Sequence, residues 1–321
     1  MPLDPHAQRL LRLLAASRGH DRPTSDMDER RRAYAALMDL TRQKDASVCA
    51  VKDMATPAPA GVPLRLYIPS SARPGASPAM LYLHGGGWVA GNLDTHDSVC
   101  HILADASGCR VISIDYRLGP EHKHPAALID AEIATRWVLG QARALDIDPN
   151  RLAVSGDSAG ANLAAALCQV FLRKGEAPFA LQVLLCPFLD LVAETASRRA
   201  FGQGYFMDLE RMRRDIELCV AENARWTDPS LSPLRAGDLA GLPAAHIHTA
   251  EFDPMRDEGR DYAERLVAAG VSARHVCHPG MIHQFYAMGG VIPRASTAMR
   301  EIAAAAGVAL AAIPPVDDLP S

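Results

Sequence analysis

Arg151-Leu152-Ala153-Val154-Ser155-Gly156-Asp157-Ser158-Ala159-Gly160-Ala161 is the stretch on which the rest of the chain depends. An apolar run enters a Gly-x-Ser-x-Gly pentapeptide, and an alanine-rich helical run to Leu172 leaves it. That is strand, sharp turn, helix. A turn so tight has no room for side chains beside the serine, so glycines flank it and the Ser158 hydroxyl is pushed out above the sheet. The helix that follows aims its unpaired N–H groups and the positive end of its dipole at the same point, where they stabilise developing negative charge. In isolation the pentapeptide is also a common strand-to-helix turn, so the argument has to go outward from it.

The first support lies upstream. Leu81-Tyr82-Leu83 is another apolar strand, and it runs into His84-Gly85-Gly86-Gly87-Trp88. Three consecutive glycines leave backbone N–H groups uncovered, so an oxyanion can approach them closely. Read without context the glycines make a flexible loop, but a strand precedes them and the serine turn follows. Around these two points the pattern repeats as strand, loop, helix. Strands are expected at 79–83, 110–114, 152–154, 180–185 and 244–249, with helices near 95–107, 126–144, 161–173 and 258–269. Such alternation predicts an α/β fold: a doubly wound, mostly parallel sheet of about eight strands covered on both faces. An entry hairpin is expected before it, with Val48–Met54 and Val62–Ile68 joined across Pro57–Gly61. The last residues, Pro314–Ser321, read as a frayed tail.

Two segments do not belong to the alternation. Residues 1–45 hold two amphipathic helices, near His6–Leu14 and Met27–Gln43, and 190–226 is a charged helical insertion carrying Glu210-Arg211-Met212-Arg213-Arg214-Asp215. Both are expected to form a cap over a catalytic domain made of 46–189 and 227–321, although terminal helices of this kind also pack simply on a domain's outside. Trp88 after the glycines, and Phe201, Tyr205, Phe206 and Met207 in the insertion, are candidates to line a substrate pocket; the insertion's aromatics fit a core equally well.

Composition narrows the partners. With 321 residues, 49% of them hydrophobic, the chain has ample material for a large core. A balance of 33 Lys+Arg against 37 Asp+Glu, net charge −4, offers no basic face for nucleic acid and no polybasic membrane patch. A small, weakly charged substrate is expected; a homodimer is compatible with all of this. The seven cysteines include no Cys-x-x-Cys pair, and Cys109, Cys168, Cys186 and Cys219 lie in apolar segments, which suits free thiols in a reducing compartment. No apolar run reaches the roughly 18 residues of a membrane span, and the N-terminus does not read as a signal peptide. The expectation is a cytoplasmic protein with no stable membrane insertion.

An activated serine needs a base within hydrogen-bond reach and a carboxylate to hold that base in its working tautomer, in the chain order Ser, acid, His for this kind of turn. Asp253 follows the strand at 244–249, on the sheet edge where α/β folds keep their sites. His283 follows a short strand at 272–277. Asp257 and Glu258 are also acidic, but they open a helix, where acids serve as caps and dipole partners. His84 precedes the glycines and is better suited to bracing that loop. His122-x-His124 and His246-x-His248 resemble pairs of metal ligands, yet no third ligand is placed by a motif, so no metal is assigned.

Taken together, His84-Gly85-Gly86-Gly87, Asp115-Tyr116-Arg117-Leu118-Gly119-Pro120-Glu121, Gly156-Asp157-Ser158-Ala159-Gly160, Asp253-Pro254-Met255 and His283 resemble the hormone-sensitive-lipase-like family of α/β-hydrolases, over about residues 60–290. The resemblance implies Ser158 as nucleophile, His283 as general base and acid, Asp253 as its orienter, and an oxyanion hole from the N–H groups of Gly86, Gly87 and Ala159. It implies a carboxylesterase acting on small to medium acyl esters through an acyl-enzyme, with no cofactor, and a cap from the N-terminal helices and an insertion. Gly119, Ala161 and Gln284 stand where relatives often have Ala, Gly and Gly. None removes a catalytic atom, though Gln284 touches the expected pocket edge. A ligand-binding receptor that keeps this fold is the competing class of function, and it would be expected to have lost one of Ser158, Asp253 or His283.

Overall fold

The structure, a computed structural model, describes residues 1–18, 26–44, 50–72 and 75–315. After two helices, α1 (Pro5–Arg18) and α2 (Met27–Thr41), the chain makes an antiparallel pair, β1 (Ala50–Ala55) and β2 (Pro63–Ile68), in register Ala55↔Pro63 to Ala50↔Ile68. This is the expected hairpin; Val48 and Cys49 of its first strand lie outside the described residues. Then follow β3 (Ser77–Leu83), α3 (Asp97–Ser107), β4 (Arg110–Ile114), α4 (Ala126–Gly140), β5 (Ile147–Asp157), α5 (Ala159–Arg173) and β6 (Leu181–Leu185). The short α6 (Ala196–Phe201) and α7 (Leu209–Cys219) interrupt the alternation before β7 (Ala244–Phe252), α8 (Arg256–Ala268), β8 (Ala273–Ile282) and α9 (Pro293–Ala311).

The eight strands form one sheet in the order β1-β2-β4-β3-β5-β6-β7-β8, with every pair from β4 to β8 parallel. All five residues of β4 and of β6 are buried, as continuous apolar strands covered on both faces should be. One core lies between the sheet and α4, α5 and α8, through Ala131, Val138, Leu167, Phe171, Tyr262 and Leu266. The other joins α3 and α9 to the opposite face through Val99, Leu103, Met299, Ile302 and Ala306. Each large side chain so buried contributes roughly 1.5–3 kcal/mol. The element α9 carries no motif, and the sequence reading contains no counterpart to it. Of the expected tail, residues 316–321 lie outside the described residues.

What matters for function is where the strands end. The C-terminal ends of β3, β5, β7 and β8 are followed at once by His84, Ser158, Asp253 and His283, so one edge of the sheet gathers every motif residue.

Candidate active site

Ser158 sits between β5 and α5 with φ 51° and ψ −116°, a conformation that costs of order 1–3 kcal/mol in a residue with a side chain. The surroundings enforce it. A Cβ on Gly156 would stand 2.5 Å from the Gly160 carbonyl carbon and 2.7 Å from Leu83 O, so at these positions only glycine lets β3 and α5 approach. The Ser158 N–H donates to Leu185 O (2.9 Å), tying the turn to β6.

The hydroxyl meets the expected partners. His283 Nε2 lies 3.0 Å from Ser158 Oγ, and His283 Nδ1 lies 2.8 Å from Asp253 Oδ2. All three residues are buried. The other Asp253 oxygen accepts the Met255 N–H at 2.8 Å, which leaves the carboxylate fixed at the head of α8. Asp257 and Glu258 do other work: Asp257 accepts the Ser197 N–H (2.8 Å), and Glu258 accepts the N–H groups of Leu189 and Asp190 (2.9 and 2.8 Å) and pairs with Arg198. They anchor the start of the insertion.

Facing Ser158 is a cavity of about 310 Å³, lined by Gly86, Gly87, Ala159 and His283 at its floor. Its walls come from Leu14 of α1, Tyr34 and Leu37 of α2, Trp88, Phe188, Phe206, Met207 and Met212, with the charged Arg30, Asp208, Arg211 and Asp215 also lining it. Of the five candidate pocket residues, Trp88, Phe206 and Met207 line this cavity, and Phe201 and Tyr205 pack elsewhere. Phe201 packs edge-on against Phe252 (5.5 Å between centroids), with the Arg256 guanidinium over its ring, and Tyr205 stacks on the same Phe252 (5.7 Å). An aromatic on β7 thus claims two of the insertion's aromatics.

Several site residues carried no sequence signal of their own. The variable position of the pentapeptide, Asp157, is fully buried and accepts hydrogen bonds from Tyr82 OH (2.6 Å), Tyr286 OH (2.7 Å) and the Gly85 N–H (2.9 Å), with His96 Nε2 at 3.4 Å. Burial pushes its pKa up, but His96 and the two tyrosines outweigh burial and hold it below the ordinary carboxylate range. It therefore staples the glycine loop to the serine turn. His84 braces the same loop as expected, with Nδ1 2.9 Å from Gly85 O and its ring stacked on Tyr116 at 4.3 Å. Burial, with the His96 ring adding to it, pushes the His84 pKa down to about 3, so the ring is neutral.

Helix α2 also reaches the segment after the glycine loop. Arg31 donates to Val89 O (2.9 Å) and Gly119 O (3.0 Å) and pairs with Glu121 at 2.7 Å. Gly119 is explained by its neighbour, since a Cβ there would lie 2.7 Å from Cys219 Sγ. Gln284 takes the left-handed conformation (φ 66°) in which glycine is easiest, and its amide donates to Tyr34 OH at 2.7 Å.

Among the described residues, Cys186, Asp253 and His283 form the one cluster with three potential metal-ligating atoms within 4.8 Å of one another, and two of these belong to the Ser158 chain. His124 Nε2 instead meets Ser230 Oγ at 3.0 Å, and His248 Nδ1 meets His278 Nε2 at 3.1 Å. Six described cysteines are free thiols, all buried except Cys277.

Residues 80–287 match a family model described as alpha/beta hydrolase fold. The chain belongs to the hormone-sensitive-lipase-like family of α/β-hydrolases. Among members, it is 44% identical over 234 residues to the carboxylic ester hydrolase LipN of Mycobacterium tuberculosis, an alignment spanning 69% of this chain and 60% of that protein. It is 36% identical over 303 residues to the ethyl acetate hydrolase of Pseudomonas putida, spanning 92% and 95%. An α/β-hydrolase enzyme from the metagenome of Lake Arreo, Spain, superposes with a TM-score of 0.91 at 40% identity, over 95% of this chain and 98% of that one. No helix among the described residues of this family member is long and apolar enough to cross a membrane.

Proposed function

We propose that the protein is a serine carboxylesterase for small to medium acyl esters. The observation that carries this reading is the hydrogen-bonded chain Asp253–His283–Ser158, at 2.8 and 3.0 Å, opening into a cavity whose floor is the glycine loop. Ser158 Oγ attacks the ester carbonyl carbon while His283 Nε2 takes its proton; Asp253 keeps the Nδ1–H tautomer and stabilises the imidazolium. The carbonyl oxygen becomes an oxyanion facing the N–H groups of Gly86, Gly87 and Ala159, the last also at the positive end of α5. His283 then protonates the departing alkoxide, leaving an acyl-Ser158. Water, activated by the same ring, attacks the acyl carbon and releases the acid.

In this reading segments 1–45 and 190–226 are the cap, which lines the acyl site through Leu14, Tyr34, Leu37, Phe206, Met207 and Met212. A cavity of about 310 Å³ has room for a modest acyl ester. Relatives named carboxylic ester hydrolase and ethyl acetate hydrolase support the reaction class. Incubation with p-nitrophenyl acetate and butyrate tests it: turnover with an initial burst is expected, whereas a folded protein that gives neither burst nor turnover is a binder and not an esterase.

A further inference from the structure

Of two consecutive arginines of α2, Arg31 holds the segment after the glycine loop directly through Val89 O. Arg30 goes instead to Asp215 of α7, pairing its Nη2 with Asp215 Oδ1. The other oxygen, Oδ2, lies against the loop: a Cβ on Gly87 would stand 2.9 Å from it. The two side chains of the pair are only 14% and 12% exposed, so solvent screens them weakly. An anion is thus lodged against Gly87 in the same cavity as Ser158, and Gly87 is a residue whose N–H, in the esterase reading on which this inference rests, receives an oxyanion. Left alone, a carboxylate there opposes the charge that develops in the transition state and not in the neutral ester.

We propose that Arg30 is a positioning residue of the oxyanion site: it neutralises and holds Asp215, so that the cap can close against Gly87 without laying an uncompensated negative charge there. Arg211 and Arg214 of the same helix also act on Asp215 through space, and Arg30 is in direct contact with it. Burial raises the Asp215 pKa and Arg30 works against that shift, consistent with a carboxylate that depends on its partner.

The alternative is a plain clamp between α2 and α7, in which breaking the pair from either side does the same damage. The two differ in sign. If the charge matters, Arg30→Met strands an anion by the oxyanion site, while Asp215→Asn removes it. Steady-state kinetics on p-nitrophenyl butyrate with the full chain decide between them. Arg30→Met is expected to lower kcat about tenfold with a smaller change in KM, Asp215→Asn to lose less, and Arg30→Met/Asp215→Asn to return to the Asp215→Asn level. Arg30→Lys, which keeps the charge, is expected to hold most of the activity. Equal losses in Arg30→Met and Asp215→Asn, or a double variant as slow as Arg30→Met, overturn the proposal. Should Arg30→Met fail to fold, Asp215→Asn against the double variant answers alone: with the anion gone, removing Arg30 is expected to cost less than about twofold, and a larger loss overturns it. An inactive wild-type chain would sink the esterase reading and this inference together, whereas active enzymes without the stated order sink only the inference.

Discussion

Replacing Asp157 by Asn tests whether the pentapeptide's variable position holds the oxyanion loop in place. The substitution keeps shape and removes charge. Tyr82 OH, Tyr286 OH and the Gly85 N–H all donate to this carboxylate inside a fully buried site. A hydrogen bond to an ionised group is worth roughly 1 kcal/mol more than one to a neutral amide, so three of them lose about 3 kcal/mol, partly offset because no charge remains to be desolvated. The expected net loss is about 2 kcal/mol, read as a lower urea midpoint at neutral pH with an unchanged m-value. Because the native pKa lies below the ordinary value, this stability is present above the unfolded pKa and is lost as pH falls through the native one. The gap between wild type and Asp157→Asn is therefore expected to stay constant from pH 7 to about 5 and to narrow below about 4. Since Gly85 precedes Gly86 and Gly87, kcat should also fall, with KM less affected. Equal urea midpoints at pH 7, or a gap that widens in acid, would refute the argument.

Ser158→Ala is expected to lower kcat by at least ~10³-fold on p-nitrophenyl butyrate with unchanged circular dichroism; residual turnover near wild type would mean that another group is the nucleophile. Along a series of p-nitrophenyl esters the optimum is expected at short to medium acyl chains, and a maximum at about twelve carbons or longer would overturn that part of the proposed function. His278, whose pKa burial and the nearby His275 push down to about 4, is neutral in the folded state, so stability should fall as pH drops from about 6.5 toward 4. His278→Gln should flatten that limb in urea unfolding, and an identical acid profile would count against it. Deleting residues 1–20 removes Leu14 from the cavity wall while leaving α2, so KM should rise or the chain-length profile shift; a folded truncation with neither change would show that α1 merely packs outside.

The convergence of Ser158, Asp253 and His283 was legible because each is a reactive side chain placed directly after a strand, and parallel strands deliver such positions to one edge. The flanking glycines were legible because a close approach admits no other residue. Arg30 and Asp215 were not, since a charge on a surface-like amphipathic helix reads as solvated until its partner, 185 residues away, is known. The packing of Phe201 and Tyr205 on Phe252 was not legible either: an irregular insertion has no period, so nothing local says which way a ring turns. Asp157 was hidden in plain view, because its partners Tyr82 and Tyr286 come from segments at opposite ends of the catalytic domain. And α9 was missed because a helix that only covers a sheet needs no motif.

The contacts of Arg31 bear on how this enzyme could be re-engineered. Its guanidinium reaches Val89, Gly119 and Glu121 from α2, and Gly119 in turn has room for no more than hydrogen opposite Cys219 of α7. In the cap reading proposed above, a cap transplanted from a relative would therefore arrive with a mismatched seat unless positions 119 and 121 were exchanged with it. In that reading selectivity is not a detachable module, and a graft that exchanges 190–226 alone should inherit the donor's preference only at the expense of turnover.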